Sequence, residues 1–219
     1  MDPDGRISGI TDTSQSMSGH TDLIGNQDAR KKRYQDNNTP IEEQKFIQIN
    51  GYGCVITMFA RIASTLANKQ ITPSELNKYA QDHNLFQLDN SDNWGDITLL
   101  SIADGISAVN GLLRQNGITD LELELVKIVD MSTEIYLYTV LEAYDNDENN
   151  IYLYGLRLDN KHSITLNRDY SQFNPLYPRE RKKEYKKEDT SRGVFSTVNY
   201  SNMTHLYIFK IKPGGADEN

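Results

Sequence analysis

Over residues 55–66 the apolar side chains of Val55, Met58, Phe59, Ile62, Ala63 and Leu66 recur at three- and four-residue steps, which predicts a helix with one buried stripe. A second helix is predicted just beyond it. Thr72, Pro73 and Glu75 supply an N-cap, a first helical residue and a capping-box partner, with Leu76 and Tyr79 facing inward. The spacing of Leu99, Ile102, Ile106, Val109 and Leu113 predicts one more helix over residues 97–113, or a pair broken near Gly105. The period then changes. Leu121, Leu123 and Leu125 alternate with Glu122 and Glu124, the pattern of a half-buried strand. Leu137, Val140, Leu141 and Tyr144 mark a short helix, ended by the acidic turn of residues 145–148. The last third reads as sheet, with strands at IYLYGLRL (residues 151–158), at residues 163–166 behind the turn Asp159-Asn160-Lys161, and at residues 205–211. Helices first and an antiparallel sheet later predict an α+β fold.

The polar segments set the boundaries. Residues 1–40 are rich in Asp, Ser, Thr, Gly, Asn and Gln and are expected to be a flexible lead-in outside the core. Residues 41–212 then form the single folded domain, and residues 213–219 a disordered tail. The basic patch Arg30-Lys31-Lys32-Arg33 is offset by Asp28 and Asp36, and residues 177–192 mix both signs, so both are expected to be solvated surface. The single tryptophan, Trp94, lies in the polar stretch of residues 89–96. A loop aromatic pinned onto the core is the commoner case there, and a cleft wall the alternative.

Composition narrows the function classes. The chain has 219 residues, 37% hydrophobic and 25% charged, with a net charge of −8, which suits one globular domain. The acidic balance argues against nucleic acid as the main partner, because a phosphate-binding surface needs a basic excess. No apolar run is long enough to span a membrane, and MDPDGRISG does not open like a signal peptide. Delivery outside the cell would then rest on something other than its own leader. One cysteine excludes an internal disulfide and the multi-cysteine zinc sites, and His20, His83, His162 and His205 are scattered without ligand spacing. No metal and no cofactor are expected.

That one cysteine, Cys54, opens the first predicted helix behind Gly51 and Gly53. The glycines let the chain turn sharply into the helix and leave the sulfur uncrowded. The positive end of the helix dipole favours a thiolate there. Gln48, six residues upstream, is placed to donate its side-chain amide, beside the Cys54 N–H, to an oxygen that becomes negative during acyl transfer. A lone cysteine in an apolar helix is more often a small buried hydrophobe; the glycines, Gln48 and the helix start together favour a nucleophile. Such a nucleophile needs a base and an orienting group. His162 stands at the entry to a strand and is the candidate base, against the alternative of a turn histidine satisfied by water. His20 is in the lead-in, His83 ends a surface helix and His205 sits on the closing strand. Asn174, in SQFNPLY, is the first candidate to orient the imidazole, and Asp169, in LNRDY, the second.

The order of glutamine, Gly-Cys helix, helical lobe, histidine strand and then Asn or Asp resembles the papain-like cysteine peptidases, and within them the bacteriocin-processing peptidase-like branch. The resemblance covers roughly residues 46–211. It is carried by Gln48, Gly53, Cys54 and Thr57, which match a Gly-Cys-x-x-Thr pattern, by TPSELNKY and by IYLYGLRLDNKHSITLN. In that branch an Asn-Asp-Pro follows the histidine at a longer interval; here the match is Phe173-Asn174-Pro175 without the Asp. The resemblance implies a papain-like fold and a thiol hydrolase acting on a protein or peptide, whether as protease, deamidase or acyl transferase. The opening Asp2-Pro3-Asp4-Gly5 is turn chemistry. It also resembles the Asp-Pro-x-Gly stretch before the C-terminal toxin domain of Rhs-type polymorphic toxins, which implies an effector delivered into a target cell as part of a larger toxin, with an immunity protein as a further partner. An inactive papain-like binding module and an intracellular leader-processing peptidase are the alternative readings.

Overall fold

The backbone N–H of Thr57 bonds to Gly53 O at 2.8 Å and the Thr57 hydroxyl donates to the same carbonyl at 2.8 Å, which starts helix α1 (Cys54–Ala67). In the computed structural model, residues 22–25, 35–40, 48–49, 53–89, 96–131, 137–158, 162–166, 172–173 and 203–214 are described. Helix α1 is buried on far more than one stripe, since the consecutive run Ile56, Thr57, Met58, Phe59 and Ala60 is inside together with Ile62, Ala63 and Leu66. The reason is its position between other helices and a sheet, where only Cys54, Val55, Arg61, Thr65 and Ala67 keep partial exposure. Its last turn closes on Asn68 in the left-handed conformation (φ 48°), as a helix C-terminus favours.

Helix α2 (Pro73–Asp82) starts as its sequence predicts. Thr72 Oγ1 accepts from Glu75 N at 3.2 Å, and the Glu75 carboxylate accepts from Thr72 N at 2.6 Å. Two short strands follow, β1 (Gln87–Asp89) and β2 (Asp96–Leu99), paired antiparallel. Residues 97–99, expected to be helical, therefore belong to a strand. The next helix, α3 (Ile102–Gln115), begins where Ser101 Oγ accepts from Asp104 N at 3.1 Å. It runs through Gly105 without a break, because that glycine serves packing and not a turn.

The rest is β3 (Leu121–Asp130), α4 (Leu137–Asp145), β4 (Ile151–Leu158), β5 (Ser163–Leu166), β6 (Gln172–Phe173) and β7 (Met203–Pro213). These five strands form an antiparallel sheet in the order β3-β7-β4-β5-β6. The architecture is α+β. One face of the sheet presents Leu123, Tyr207 and Phe209 to a core shared with α1, α2 and α3. The other presents Val129, Tyr154, Leu156, Leu206 and Ile208 to Leu141 of α4. Each fully buried Leu, Ile or Phe contributes about 1.5–3 kcal/mol, so the sheet is held from both sides.

Residues 22–25 of the lead-in are drawn into this body, against the expectation for residues 1–40. Ile24 is 3% exposed and packs in the first core, and Leu23 bridges to Gln48. Asn77 of α2 fixes the segment, donating to Leu23 O at 2.9 Å and accepting from Gly25 N at 3.3 Å. At the other end the sheet extends past residue 212: Pro213 pairs with Leu121, and Gly214 N donates to Asp120 O at 2.9 Å. Among the described residues no helix is long and apolar enough to cross a membrane.

Candidate active site

Cys54 is the first residue of α1 and is half-buried. Gly53 in front of it has φ −82°, a backbone any residue adopts, so conformational freedom is not what requires glycine there. Space is. A Cβ at Gly53 would stand 2.6 Å from Ile49 O and 2.7 Å from Ile49 Cγ2, and Gly53 N itself donates to Ile49 O at 2.8 Å. The close approach of Gly53 to Ile49 thus sets the angle at which the cysteine enters the helix.

His162 is delivered by a different part of the chain. The β4–β5 hairpin pairs Arg157 with Ser163, and Leu158 N donates to His162 O at 2.8 Å. This places the half-buried His162 at the mouth of β5, where its imidazole hydrogen-bonds to the Cys54 sulfur. The backbone N–H of Ser163 donates to the same sulfur. Burial is the largest influence on the Cys54 thiol and pushes its pKa up; the His162 hydrogen bond, the Ser163 N–H and the charges of His162 and Arg157 pull it down. The second group prevails, and the thiol titrates below its ordinary value.

Gln48 is half-buried, with its backbone bridged to Leu23. Its side chain makes no hydrogen bond among the described residues, so the amide is not tied to the sulfur in this state. Asn174 and Asp169 lie outside the described residues, as do Trp94 and Asp2-Pro3-Asp4-Gly5. His83 stacks on Tyr79 with centroids 3.9 Å apart, and His205 is exposed; neither touches Cys54. Among the described residues no group of three or more His, Cys, Asp or Glu is placed to hold a metal ion.

Two neighbours of the sulfur were not singled out by sequence reasoning. Ser163 contributes through its backbone, which leaves no trace in residue type. Arg157 did leave one: it is a cation at an inward position of the apolar strand IYLYGLRL, on the same face as Gly155, Tyr207 and Ser163. Its Nη1 donates to Ser163 Oγ at 3.2 Å. Comparison with protein-family models, with curated proteins and with solved structures finds no match to this chain.

Proposed function

We infer that the domain is a papain-like cysteine hydrolase with Cys54 as nucleophile and His162 as its acid–base partner. The observation that carries the reading is the hydrogen bond between the His162 imidazole and the sulfur at the N-terminus of α1. A helical segment that opens on the cysteine and packs against an antiparallel sheet that carries the histidine supports the papain-like assignment.

In this mechanism the Cys54 thiolate attacks a carbonyl carbon of a protein or peptide substrate. The Cys54 N–H, at the start of α1, holds the oxyanion together with the Gln48 amide. His162 protonates the departing amine, and water, losing a proton to His162, then releases the acyl group from sulfur. Asn174 or Asp169 orients the imidazole. Peptide cleavage, glutamine deamidation and acyl transfer all use these steps.

The Asp2-Pro3-Asp4-Gly5 opening supports a role as the effector of an Rhs-type toxin, delivered into a target cell and neutralised by an immunity protein in the producer. Expression in a bacterial cytosol tests this. Growth arrest is expected with the native domain and not with Cys54→Ala or His162→Ala; equal growth with all three would remove the toxic hydrolase reading for bacterial targets.

A further inference from the structure

We propose that Arg157 anchors a substrate carboxylate beside Cys54, so that the site acts on acyl groups carrying an acid close to the carbonyl that is attacked. This rests on the reading of Cys54 as a nucleophile and names the class of substrate it takes.

Four residues stand in cross-strand register on the helix side of the sheet: Asp130 on β3, His205 on β7, Arg157 on β4 and Ser163 on β5. Directly opposed residues on neighbouring strands lie about 5 Å apart. Arg157 is therefore one position from the residue whose N–H touches the nucleophilic sulfur. It is half-buried, and it pairs with no carboxylate among the described residues. Asp130, the acidic member of the row, is two strands away, about 10 Å by strand spacing, with exposed His205 between them.

A guanidinium has five N–H donors in a planar fork. Here one group, Nη1, is engaged by the neutral Ser163 hydroxyl at 3.2 Å. Removing a cation partly from water without an anion is costly, and a carboxylate matches the remaining fork in charge and shape. Tyr207, 9% exposed and diagonal to Arg157 on β7, walls the same ground with an aromatic ring. A substrate acid seated on Arg157 leaves its adjoining carbonyl over the sulfur.

Alkylation of Cys54 in the purified chain provides the test, since sulfur displaces iodide from iodoacetate and from neutral iodoacetamide by the same attack on carbon. The ratio of the two rates cancels any change in the thiolate fraction. Relative to free N-acetylcysteine, the native protein is expected to favour iodoacetate by roughly fivefold, about 1 kcal/mol at 1.4 kcal/mol per tenfold. His162→Ala retains that preference, Arg157→Lys reduces it and Arg157→Gln abolishes it. Should Arg157→Gln not fold, the native protein, His162→Ala and Arg157→Lys still decide the matter. Protection against iodoacetate by N-acetylalanine marks a chain-terminal carboxylate as the ligand, and protection by N-acetylaspartate α-amide an acidic side chain. Protection by neither, or a ratio equal to that of free thiol, overturns the anchor. A Cys54 slower than free thiol toward both reagents would instead overturn the nucleophile reading beneath it.

Discussion

The ring of Phe59 on α1 fills the space in which a Cβ on Gly105 of α3 would stand. On its other side the same ring meets Phe209 of β7 edge-on, with centroids 5.9 Å apart and planes at 64°. Phe59 is fully buried, and through it the Cys54 helix is clamped between a neighbouring helix and the middle of the sheet. Replacing a helical glycine by alanine ordinarily gains up to about 1 kcal/mol. At Gly105 the sign should reverse. Gly105→Ala is expected to destabilise by about 1–3 kcal/mol through overpacking, read from urea denaturation; a stabilised variant would show that α3 can slide away from the ring at no cost.

The Cys54 thiol provides a pH dependence with a definite sign. Its pKa is lowered in the folded chain, so the folded state binds this proton less tightly than the unfolded one. The resulting stabilisation is fully present above the unfolded thiol value, about 8.5, and is lost as pH falls through the folded value. The stability of the native chain minus that of Cys54→Ala should therefore rise with pH across that window. Denaturant midpoints at stepped pH measure it, and a flat or falling difference would contradict the lowered value. In the same window His162→Ala should move the alkylation midpoint of Cys54 upward.

Thr72→Ala removes a side-chain acceptor from the capping box of α2. A loss of about 1 kcal/mol is expected. Thr72 follows the C-terminal end of α1, while Cys54 stands at the other end, about 20 Å away by helix rise. Cys54 alkylation should accordingly keep its rate. A rate that fell with stability would tie the site to the start of α2.

Asn77 is 3% exposed and holds both Leu23 O and Gly25 N. Asn77→Ala is expected to cost about 1–3 kcal/mol, because it strands the buried Gly25 N–H, while Leu23 O keeps Gln81 Nε2 at 3.1 Å. Hydrogen exchange at residues 23–25 should accelerate more than at β7. Uniform acceleration across the chain would mean that the segment is not latched by this side chain.

Features that depend on neighbours in sequence were legible in it. The helix opening on Cys54, the capping box at Thr72 and the strand IYLYGLRL follow from spacing and cap chemistry, which act over one or two turns. What was hidden depends on distant partners. Gly105 reads as a helix breaker unless the ring of Phe59 is known to face it. The pair β1 and β2 is too short, at three and four residues, for a period of two to be seen. Leu23 and Ile24 are a short aliphatic pair in a polar stretch, and Ile24 is buried where Asn77 and Gln81, far along the chain, bond the backbone on either side of it. The approach of His162 to Cys54 was inferred from residue type and order, whereas Ser163 acts through a backbone amide that no residue type advertises. Arg157 lay in plain view as a charge on an inward strand position.

The strand that closes the sequence, β7, lies between β3 and β4, and it bonds to both. Chain emerging during synthesis can form the Cys54 helix and the β4–β5 hairpin early, yet the two halves of the sheet have no direct ladder until residues 203–213 slot in between them. Such late, long-range closure slows folding. A chain stopped at residue 202 should be unable to complete the sheet under the reacting groups, and its circular dichroism and Cys54 alkylation should be those of an unassembled polypeptide.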